Sequence, residues 1–234
     1  MNLISKKNSF QGSEYWNYFY ENHKIVSEID TPSQFAAFTI SEIKQAGISL
    51  VYDLGCGSGR DTKFFLDNDC DVIALDKSQV ALQKTRSLCS YNERLCTSLT
   101  DFSKSYEEWP KSNLRKKALY ARFLIHSLPN PTLEKFIAGC YTVMNIGDLA
   151  LFEYRTTKDQ SRFKEAPDHY RNYVDPNFIK SLATNNGLLL TYSVEGLGYA
   201  KYRKDDAFVS RQIFIKTQMT PPPKPASVRS FLFA

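Results

Sequence analysis

The stretch from Val51 to Asp61 constrains the fold of this chain more than any other part of its sequence. It reads Val-Tyr-Asp-Leu-Gly-Cys-Gly-Ser-Gly-Arg-Asp, so a short apolar run ends in an acid and three glycines then occupy alternate positions. A helical pattern begins at Arg60. Glycine permits a positive φ and lets the backbone approach a ligand where a Cβ atom would collide. A strand that leads through such a turn into a helix forms a ligand cradle at the carboxyl end of a parallel sheet.

The spacing of the glycines argues against two common nucleotide sites. A dinucleotide fingerprint needs its third glycine five residues after the first, whereas that position is Arg60 here and the third glycine is Gly59. Asp53 also precedes the turn, where a carboxylate suits a ligand with an ammonium or sulfonium cation better than an anionic pyrophosphate. A P-loop is excluded because no Gly-Lys-Ser/Thr follows at the required distance.

A second acid ends the next apolar segment. The run from Val72 to Leu75 is typical of a buried parallel strand, and Asp76 follows it, 17 residues after Gly59. That separation accommodates one helix and a returning strand, and it is close to the roughly 20 residues expected for an acid that binds ribose hydroxyls. We predict this role for Asp76. The alternative is that Asp76 caps the helix that begins near Ser78.

The segment Asp53-Leu54-Gly55-Cys56-Gly57-Ser58-Gly59 resembles the first motif of class I S-adenosylmethionine-dependent methyltransferases. The acid and the glycine triplet together, after an apolar strand, carry the resemblance, which extends with lower specificity over most of Ser13 to Lys216. It implies an α/β fold, with a doubly wound, Rossmann-like sheet of seven mostly parallel strands, an antiparallel terminal strand and an N-terminal helical lid. It also implies S-adenosyl-L-methionine as the cofactor.

Helical and strand patterns alternate along the chain, as a doubly wound fold requires. We predict helices at about Glu14–Asn22, Pro32–Ala46, Arg60–Asn68, Gln79–Leu88, Thr132–Val143 and Pro176–Asn186. Strands are predicted at Leu50–Leu54, Val72–Asp76, Arg94–Thr97, Lys117–Ala121 and Leu149–Tyr154, with a terminal antiparallel pair at Leu188–Glu195 and Ala207–Lys216. These elements divide the chain into a lid segment at 1–46, a methyltransferase domain at 47–216 and a proline-rich tail at 217–234.

The resemblance implies a set of cofactor contacts. The glycine loop would pass under the methionine part of the cofactor, and Asp101 with Phe102 would bind its adenine, although an ordinary turn Asp beside a core Phe is the alternative. Aromatic residues of the first helix would cover the cofactor and attract its sulfonium, or they simply pack that helix on the sheet. The predicted contacts are Tyr15, Trp16, Asp53, Gly55, Cys56, Gly57, Gly59, Asp76, Lys77, Asp101, Phe102 and Arg122.

Two further stretches are predicted to hold the methyl acceptor. The first follows strand four and resembles the fourth motif of small-molecule methyltransferases, with His126 near the substrate entrance or, alternatively, as a half-buried structural residue. The second is the polar connection after strand five, whose length marks it as functional. Its two arginines are candidates to clamp a carboxylate or phosphate, and its histidine is a candidate base. The catalytic candidates are His126, Arg155, His169, Tyr170 and Arg171.

Composition excludes several classes of protein. With 234 residues, of which 42% are hydrophobic, the chain suits one α/β domain with a substantial core. Five scattered cysteines and three distant histidines predict neither a disulfide framework nor a metal site. Because the chain has no apolar leader and no apolar run of 18 residues, we expect a cytoplasmic protein without a membrane span. The net charge of +5 is scattered and does not demand a nucleic-acid partner.

We predict a methyltransferase that acts on an oxygen of a small anionic molecule or of a glycan or phosphorylated glycan terminus. This acceptor class rests on a weaker resemblance to methyltransferases of bacterial surface-polysaccharide pathways. The Tyr-Trp pair near the N-terminus, Gly-Ser-Gly-Arg-Asp, Ala-Arg-Phe-Leu-Ile-His-Ser and the later His-Tyr-Arg carry it. Ala121–Leu124 replaces the Asn/Asp-Pro-Pro-aromatic sequence of base-modifying enzymes. A non-catalytic cofactor-binding scaffold and an RNA methyltransferase are the alternatives. The sequence does not indicate an oligomeric state.

Overall fold

The computed structural model describes residues 12–22, 31–104, 106–110, 115–166 and 169–218. Its helices are α1 (Ser13–Asn22), α2 (Gln34–Gln45), α3 (Arg60–Asp67), α4 (Gln79–Leu88), α5 (Asn130–Val143) and α6 (Pro176–Asn185). Its strands are β1 (Leu50–Leu54), β2 (Asp71–Asp76), β3 (Leu95–Leu99), β4 (Lys117–Arg122), β5 (Leu149–Arg155), β6 (Leu188–Gly196), β7 (Lys201–Tyr202), β8 (Asp205–Asp206) and β9 (Val209–Lys216). The bounds of the predicted elements differ from these by at most two residues.

Seven strands form one sheet in the order β3-β2-β1-β4-β5-β9-β6. The pairs among the first five strands are parallel, and β9 runs antiparallel to both of its neighbours. The predicted doubly wound fold is therefore confirmed. The strand order reverses between β1 and β4, and in open parallel sheets ligands bind at the carboxyl ends of the strands beside such a reversal. The topology therefore directs attention to the loops that follow these two strands.

The central strands are buried on both faces. Every residue of β1 and β5 is buried, as expected for parallel strands covered by helices on each side. Successive side chains of β1 point to opposite faces, so Tyr52 packs in the same apolar cluster as Phe136 and Phe152, whereas Val51 packs with Phe65. This rigid double-sided core fixes the strand ends from which the site is built.

Two features of the fold depart from or add to the sequence prediction. A short hairpin of β7 and β8 was not predicted, because Lys-Tyr-Arg-Lys-Asp-Asp shows no alternation of apolar and polar residues. α2 buries Phe35 and Ile43 against the sheet, while the division of the chain at residue 46 stays a prediction. Most of the proline-rich tail, including Pro221–Pro225, lies outside the described residues. None of the helices described above is long and apolar enough to cross a membrane.

Candidate active site

The loop after β1 takes its shape from three glycines. Gly55, Gly57 and Gly59 have φ values of 77°, 59° and 87°, which disfavour any residue with a Cβ atom. The N–H groups of Gly55 and Cys56 both donate to the carbonyl oxygen of Leu75, at 2.7 and 3.0 Å, and so tie the loop to the end of β2. A Cβ atom on Gly59 would lie 2.8 Å from the Cα atom of Thr85. Gly59 therefore allows close packing on α4 and does not itself line the cavity.

Asp53 lies near the end of β1 and is buried beneath the glycine loop. Thr62 Oγ1 donates a hydrogen bond to its Oδ2 at 2.6 Å. Burial raises the pKa of Asp53 to about 7, because a buried carboxylate loses the hydration that favours its charged form. A cation bound beside Asp53 would restore that charged form. This property fits the ammonium group of the predicted cofactor.

Asp76 lies at the end of β2 and connects the glycine loop to the start of α4. Its Oδ2 accepts from the N–H of Gly57 at 3.0 Å and its Oδ1 accepts from the N–H of Ser78 at 2.9 Å. The N-cap of α4 is Ser78 itself, whose Oγ accepts from Ala81, so capping is not the main task of Asp76. Each carboxylate oxygen has a second lone pair, which leaves acceptors for two ribose hydroxyls.

The predicted adenine contacts divide into two kinds. Lys77 and Asp101 line the cavity, with Lys77 Nζ 3.9 Å from Asp101 Oδ1. Phe102 also reaches the cavity, but its ring packs edge-on against Trp109 and Phe136 at centroid distances of 5.2 and 5.6 Å. Phe102 is therefore a core residue with one surface on the cavity.

In the glycine loop, the half-buried Cys56 lines the cavity as well, and burial raises the pKa of its thiol.

The first helix, α1, contacts both ends of the cavity. Asn17 Oδ1 accepts from Ser78 Oγ at 2.7 Å, and the hydroxyl of Tyr20 lies so close to Gly57 that a Cβ atom there would be 2.8 Å away. At the other end, Tyr15 Oη lies 2.8 Å from Nδ1 of His169. The ring of His169 packs 4.6 Å from that of Trp16. Trp16 lines the cavity and Tyr15 does not; Tyr20 and Asn17 were missed by the sequence analysis.

A single cavity of about 590 Å³ runs from the glycine loop to the hairpin of β7 and β8. We call its two ends the cofactor half and the acceptor half. The cofactor half is lined by Asp53, Gly55, Cys56, Gly57, Asp76, Lys77, Asp101 and Phe102. The acceptor half is lined by Arg60, Asp61, Arg122, Phe123, His126, Arg155, Glu165, His169, Arg171, Lys201, Tyr202, Arg203 and Asp205.

Buried ion pairs form the wall of the acceptor half. Glu153 accepts from Arg122 at 3.0 Å and from Arg211 at 2.8 Å. Arg155 donates to Asp159 and to Asp205, both at 2.7 Å. Two carboxylates thus already bind the guanidinium of Arg155. The predicted clamp of Arg155 on a substrate anion is therefore less suited to its contacts than a role in holding the wall in place.

His126 is buried in the turn after β4, and its tautomer follows from its contacts. The N–H of Arg155 donates to Nδ1 at 3.2 Å, so Nδ1 is an acceptor and the proton of the neutral ring sits on Nε2. Burial, followed by the charges of Arg155 and Arg171, lowers the pKa of His126 well below its usual value. His126 is therefore a buried histidine whose ring lines the cavity.

The remaining predicted residues lie in the loop after β5. Arg171 donates to the carbonyl oxygens of His169 and Ala166 at 3.2 and 2.8 Å, and its Nε is buried without a partner. Tyr170 does not line the cavity. Phe123, which was not predicted, has a φ of 58° and lies under the guanidinium of Arg122 at 4.3 Å. A non-glycine residue in this strained conformation is typical of functional sites.

A family model described as a methyltransferase domain matches residues 51–147. The fold is similar to that of the N-methyltransferase NodS from Bradyrhizobium japonicum in complex with S-adenosyl-L-homocysteine, with a TM-score of 0.66 and 12% identity over 89% of this chain and 100% of that one. It is also similar to 1,6-didemethyltoxoflavin-N1-methyltransferase from Burkholderia thailandensis, with a TM-score of 0.67 and 14% identity over 93% and 92% of the two chains.

A third similar structure is an S-adenosylmethionine-dependent methyltransferase from Anabaena variabilis, with a TM-score of 0.64 and 16% identity over 92% of this chain and 96% of that one. No curated protein sequence matches the chain. The glycine loop, the two acids and the cavity beside them fit S-adenosylmethionine. Residues 51–147 thus match a methyltransferase domain, and the chain has the fold of S-adenosylmethionine-dependent methyltransferases.

Proposed function

We propose that the protein methylates an oxygen of an anionic acceptor, either a small molecule or a glycan or phosphorylated glycan terminus. The charge of the acceptor half carries this proposal. Among the described residues, its lining has six cationic side chains, Arg60, Arg122, Arg155, Arg171, Lys201 and Arg203, against three carboxylates, Asp61, Glu165 and Asp205. Cations still outnumber carboxylates when the paired wall residues Glu153, Asp159 and Arg211 are included. Such an excess in a cleft with low-dielectric walls attracts anions.

The same excess disfavours an acceptor that carries a protonated amine. Asp61, the carboxylate nearest the glycine loop, already accepts from Ser33 Oγ and from Tyr120 Oη, each at 2.7 Å. Asp205 is paired with Arg155. Of these three carboxylates, Glu165 is the one that has no ion-pair partner among the described residues, since Asp61 also lies 3.5 Å from Arg60. This balance supports oxygen rather than nitrogen as the methylated atom, although two of the similar structures are named N-methyltransferases.

The residues of the cofactor half hold and orient the cofactor, which when bound supplies an electrophilic methyl group on sulfur. Asp53 would face its ammonium group and Asp76 its ribose hydroxyls. Methyl transfer is an in-line displacement, so alignment of donor and acceptor provides much of the acceleration. Trp16 and Tyr20 of α1 line the cavity over this alignment and exclude water.

A proton acceptor is needed only if the acceptor hydroxyl is protonated when it reacts. His126 is unsuited to that task because its Nδ1 is occupied by Arg155. His169 is the remaining candidate base. It can act if its Nδ1–H donates to Tyr15, because Nε2 is then the proton acceptor. In this proposal Tyr170 and Arg155 do not touch the acceptor; they position the connection that follows β5.

The test is transfer of a 13C-labelled methyl group from the cofactor into extract fractions separated on an anion exchanger. We expect the label in a retained, anionic fraction, with the 13C chemical shift of an O-methyl group. The Asp76→Ala variant is the control for transfer that depends on the cofactor half. An N-methyl product would overturn the oxygen assignment. Tight cofactor binding with no transfer to any fraction would instead favour the scaffold alternative.

A further inference from the structure

We propose that His126, Arg171 and Tyr202 form an oxyanion-binding subsite that holds a phosphate or carboxylate of the acceptor, with His126 as a neutral hydrogen-bond donor. This inference rests on the proposed function, since it names the part of the cavity that recognises the acceptor's negative charge. The three residues come from the turn after β4, the loop after β5 and the hairpin strand β7. All three line the same cavity.

The first donor is Nε2–H of His126. The backbone of His126 is fixed because its carbonyl oxygen accepts from the N–H of Asn172 at 2.7 Å. Its ring is fixed by the bond from Arg155 to Nδ1 and by the edge-on ring of Phe123 at 5.1 Å. Among the described residues, none makes a hydrogen bond to Nε2. The proton on this atom is therefore available to an oxygen in the cavity.

The second donor is Nε–H of Arg171. Its two terminal nitrogens are engaged by main-chain carbonyl oxygens, which orient the guanidinium without neutralising its charge. No carboxylate in the described part of the chain lies within ion-pair distance of it. Nε is buried without a partner, and a donor left in that state is costly unless a ligand satisfies it. The N–H of the next residue, Asn172, donates to the carbonyl oxygen of His126 at 2.7 Å, which places Arg171 beside the turn that carries His126, and both side chains line the cavity.

The hairpin supplies the third group. The hydroxyl of Tyr202 is buried without a partner, and the guanidinium of Arg203 lies 5.3 Å from the centre of its ring. Asp205 on the same hairpin has one buried oxygen, Oδ1, that is also unpartnered. A carboxylate oxygen accepts rather than donates, so it suits a hydroxyl of the acceptor beside the oxyanion. The subsite thus offers donors to an anion and one acceptor to a neighbouring hydroxyl.

Three variants separate the roles of the two nitrogen donors. His126→Gln keeps an N–H group near the position of Nε2 but cannot act as a base, whereas His126→Phe keeps a ring without a donor. Arg171→Lys keeps the charge and loses Nε. The chain has three histidines, so 15N spectra of the imidazoles are simple, and the His126→Gln variant assigns the signals of His126. Cofactor affinity and far-ultraviolet circular dichroism check that each variant is folded.

The probes are inorganic phosphate, acetate and ammonium, titrated into the cofactor-bound protein. We expect His126 to show the Nε2–H tautomer at about pH 7, and its Nε2 signal to shift with phosphate or acetate but not with ammonium. The stronger of the two anions identifies a phosphate or a carboxylate as the natural group. His126→Phe and Arg171→Lys should each lower the affinity for that anion about tenfold or more, whereas His126→Gln should lower it by less than about threefold.

A proton on Nδ1 of His126, an equal shift with ammonium, or anion affinity that is unchanged in His126→Phe and Arg171→Lys would each overturn the subsite. These readouts need no methyl transfer. If the subsite binds anions as described but the labelled methyl group appears on nitrogen, the proposed function fails and the subsite stands. If transfer to an anionic oxygen occurs without these shifts, the subsite fails alone.

Discussion

The two halves of the cavity are held in place by different interactions. In the cofactor half, main-chain N–H groups bind a strand-end carbonyl and the carboxylate of Asp76, within a short stretch of chain around β1 and β2. In the acceptor half, buried ion pairs join Arg122 to Glu153 and Arg155 to Asp205, which lies 50 residues further along the chain. The shape of the cofactor half depends on main-chain hydrogen bonds around a few glycines, whereas each buried ion pair in the acceptor half depends on both of its side chains. The acceptor half is therefore the more vulnerable to single substitutions.

The largest effect should come from removing the charge of Arg155. In Arg155→Met, Asp159 and Asp205 lose their shared buried cation, which typically costs about 3–5 kcal/mol of the free energy of unfolding. Urea denaturation measures this loss. The matched control is Lys158→Met, because Lys158 pairs with Glu195 at 2.6 Å on the surface of the same loop. Exposed pairs contribute about 0–1 kcal/mol.

Equal free energies of unfolding for Arg155→Met and Lys158→Met would contradict the claim that buried ion pairs hold the acceptor half in place. It would be sharpened if Arg155→Met, kept below its unfolding midpoint, still bound the cofactor with the affinity of the unmodified protein. That result would show that the glycine loop and Asp76 keep their arrangement when the wall of the acceptor half is disrupted. Calorimetric titration with S-adenosylhomocysteine makes the measurement.

The next effect concerns the cofactor half alone. Asp76→Ala removes the proposed acceptor of two ribose hydroxyls and leaves the N–H groups of Gly57 and Ser78 without it. We expect the cofactor affinity to fall about 100-fold, or about 2.7 kcal/mol. Asp71→Ala is the control at the other end of β2, where Asp71 pairs with Arg115 on the surface. An affinity that is equal in the two variants would remove Asp76 from the site.

The smallest of the three effects is a pH dependence. Because burial raises the pKa of Asp53 to about 7 in the folded protein, the protonated form contributes stability at acid pH that is lost as the pH rises through about 7. Binding of the cofactor's ammonium needs the charged form. The cofactor affinity should therefore fall about tenfold from pH 8 to pH 6. Calorimetric titration in buffers of different ionisation enthalpy should detect the proton that Asp53 releases on binding.

Asp53→Asn supplies the test of that assignment. The variant cannot titrate, so its cofactor affinity should be weaker at pH 8 and nearly independent of pH in this range. A slope that persists unchanged in Asp53→Asn would assign the titration to another group. The dependence belongs to the cofactor half, and Arg171→Lys should leave it in place.

The sequence predicts the cofactor half well because its determinants are local. Positive φ at Gly55 and Gly57, the acid at Asp53 and the second acid at Asp76 are each visible in a segment of about 25 residues, since strand and helix periodicities set the spacing. Among the contacts predicted from this segment, Gly59 does not line the cavity. Its lack of a side chain serves helix packing instead, which depends on Thr85 in another element.

The acceptor half could be predicted only in part because its determinants are distant in sequence. Arg155 is a plausible anion clamp until the fold brings Asp205 to it. His126 is a plausible base until the N–H of Arg155 occupies its Nδ1. The hairpin that carries Tyr202 has no pattern that indicates a strand. Each of these outcomes is decided by tertiary contacts, which override local preference.

The first helix has a consequence for experiments on this protein. None of its ten residues is buried, and an isolated helix of that length is unstable in water. Its main-chain amides are therefore protected from hydrogen exchange only while Asn17, Tyr15 and Tyr20 keep their contacts with the two halves. Local opening of this kind leaves the sheet intact. The rate of amide hydrogen exchange at Ser13–Asn22 thus reports whether α1 covers the cavity, and it does so independently of the global stability of the fold.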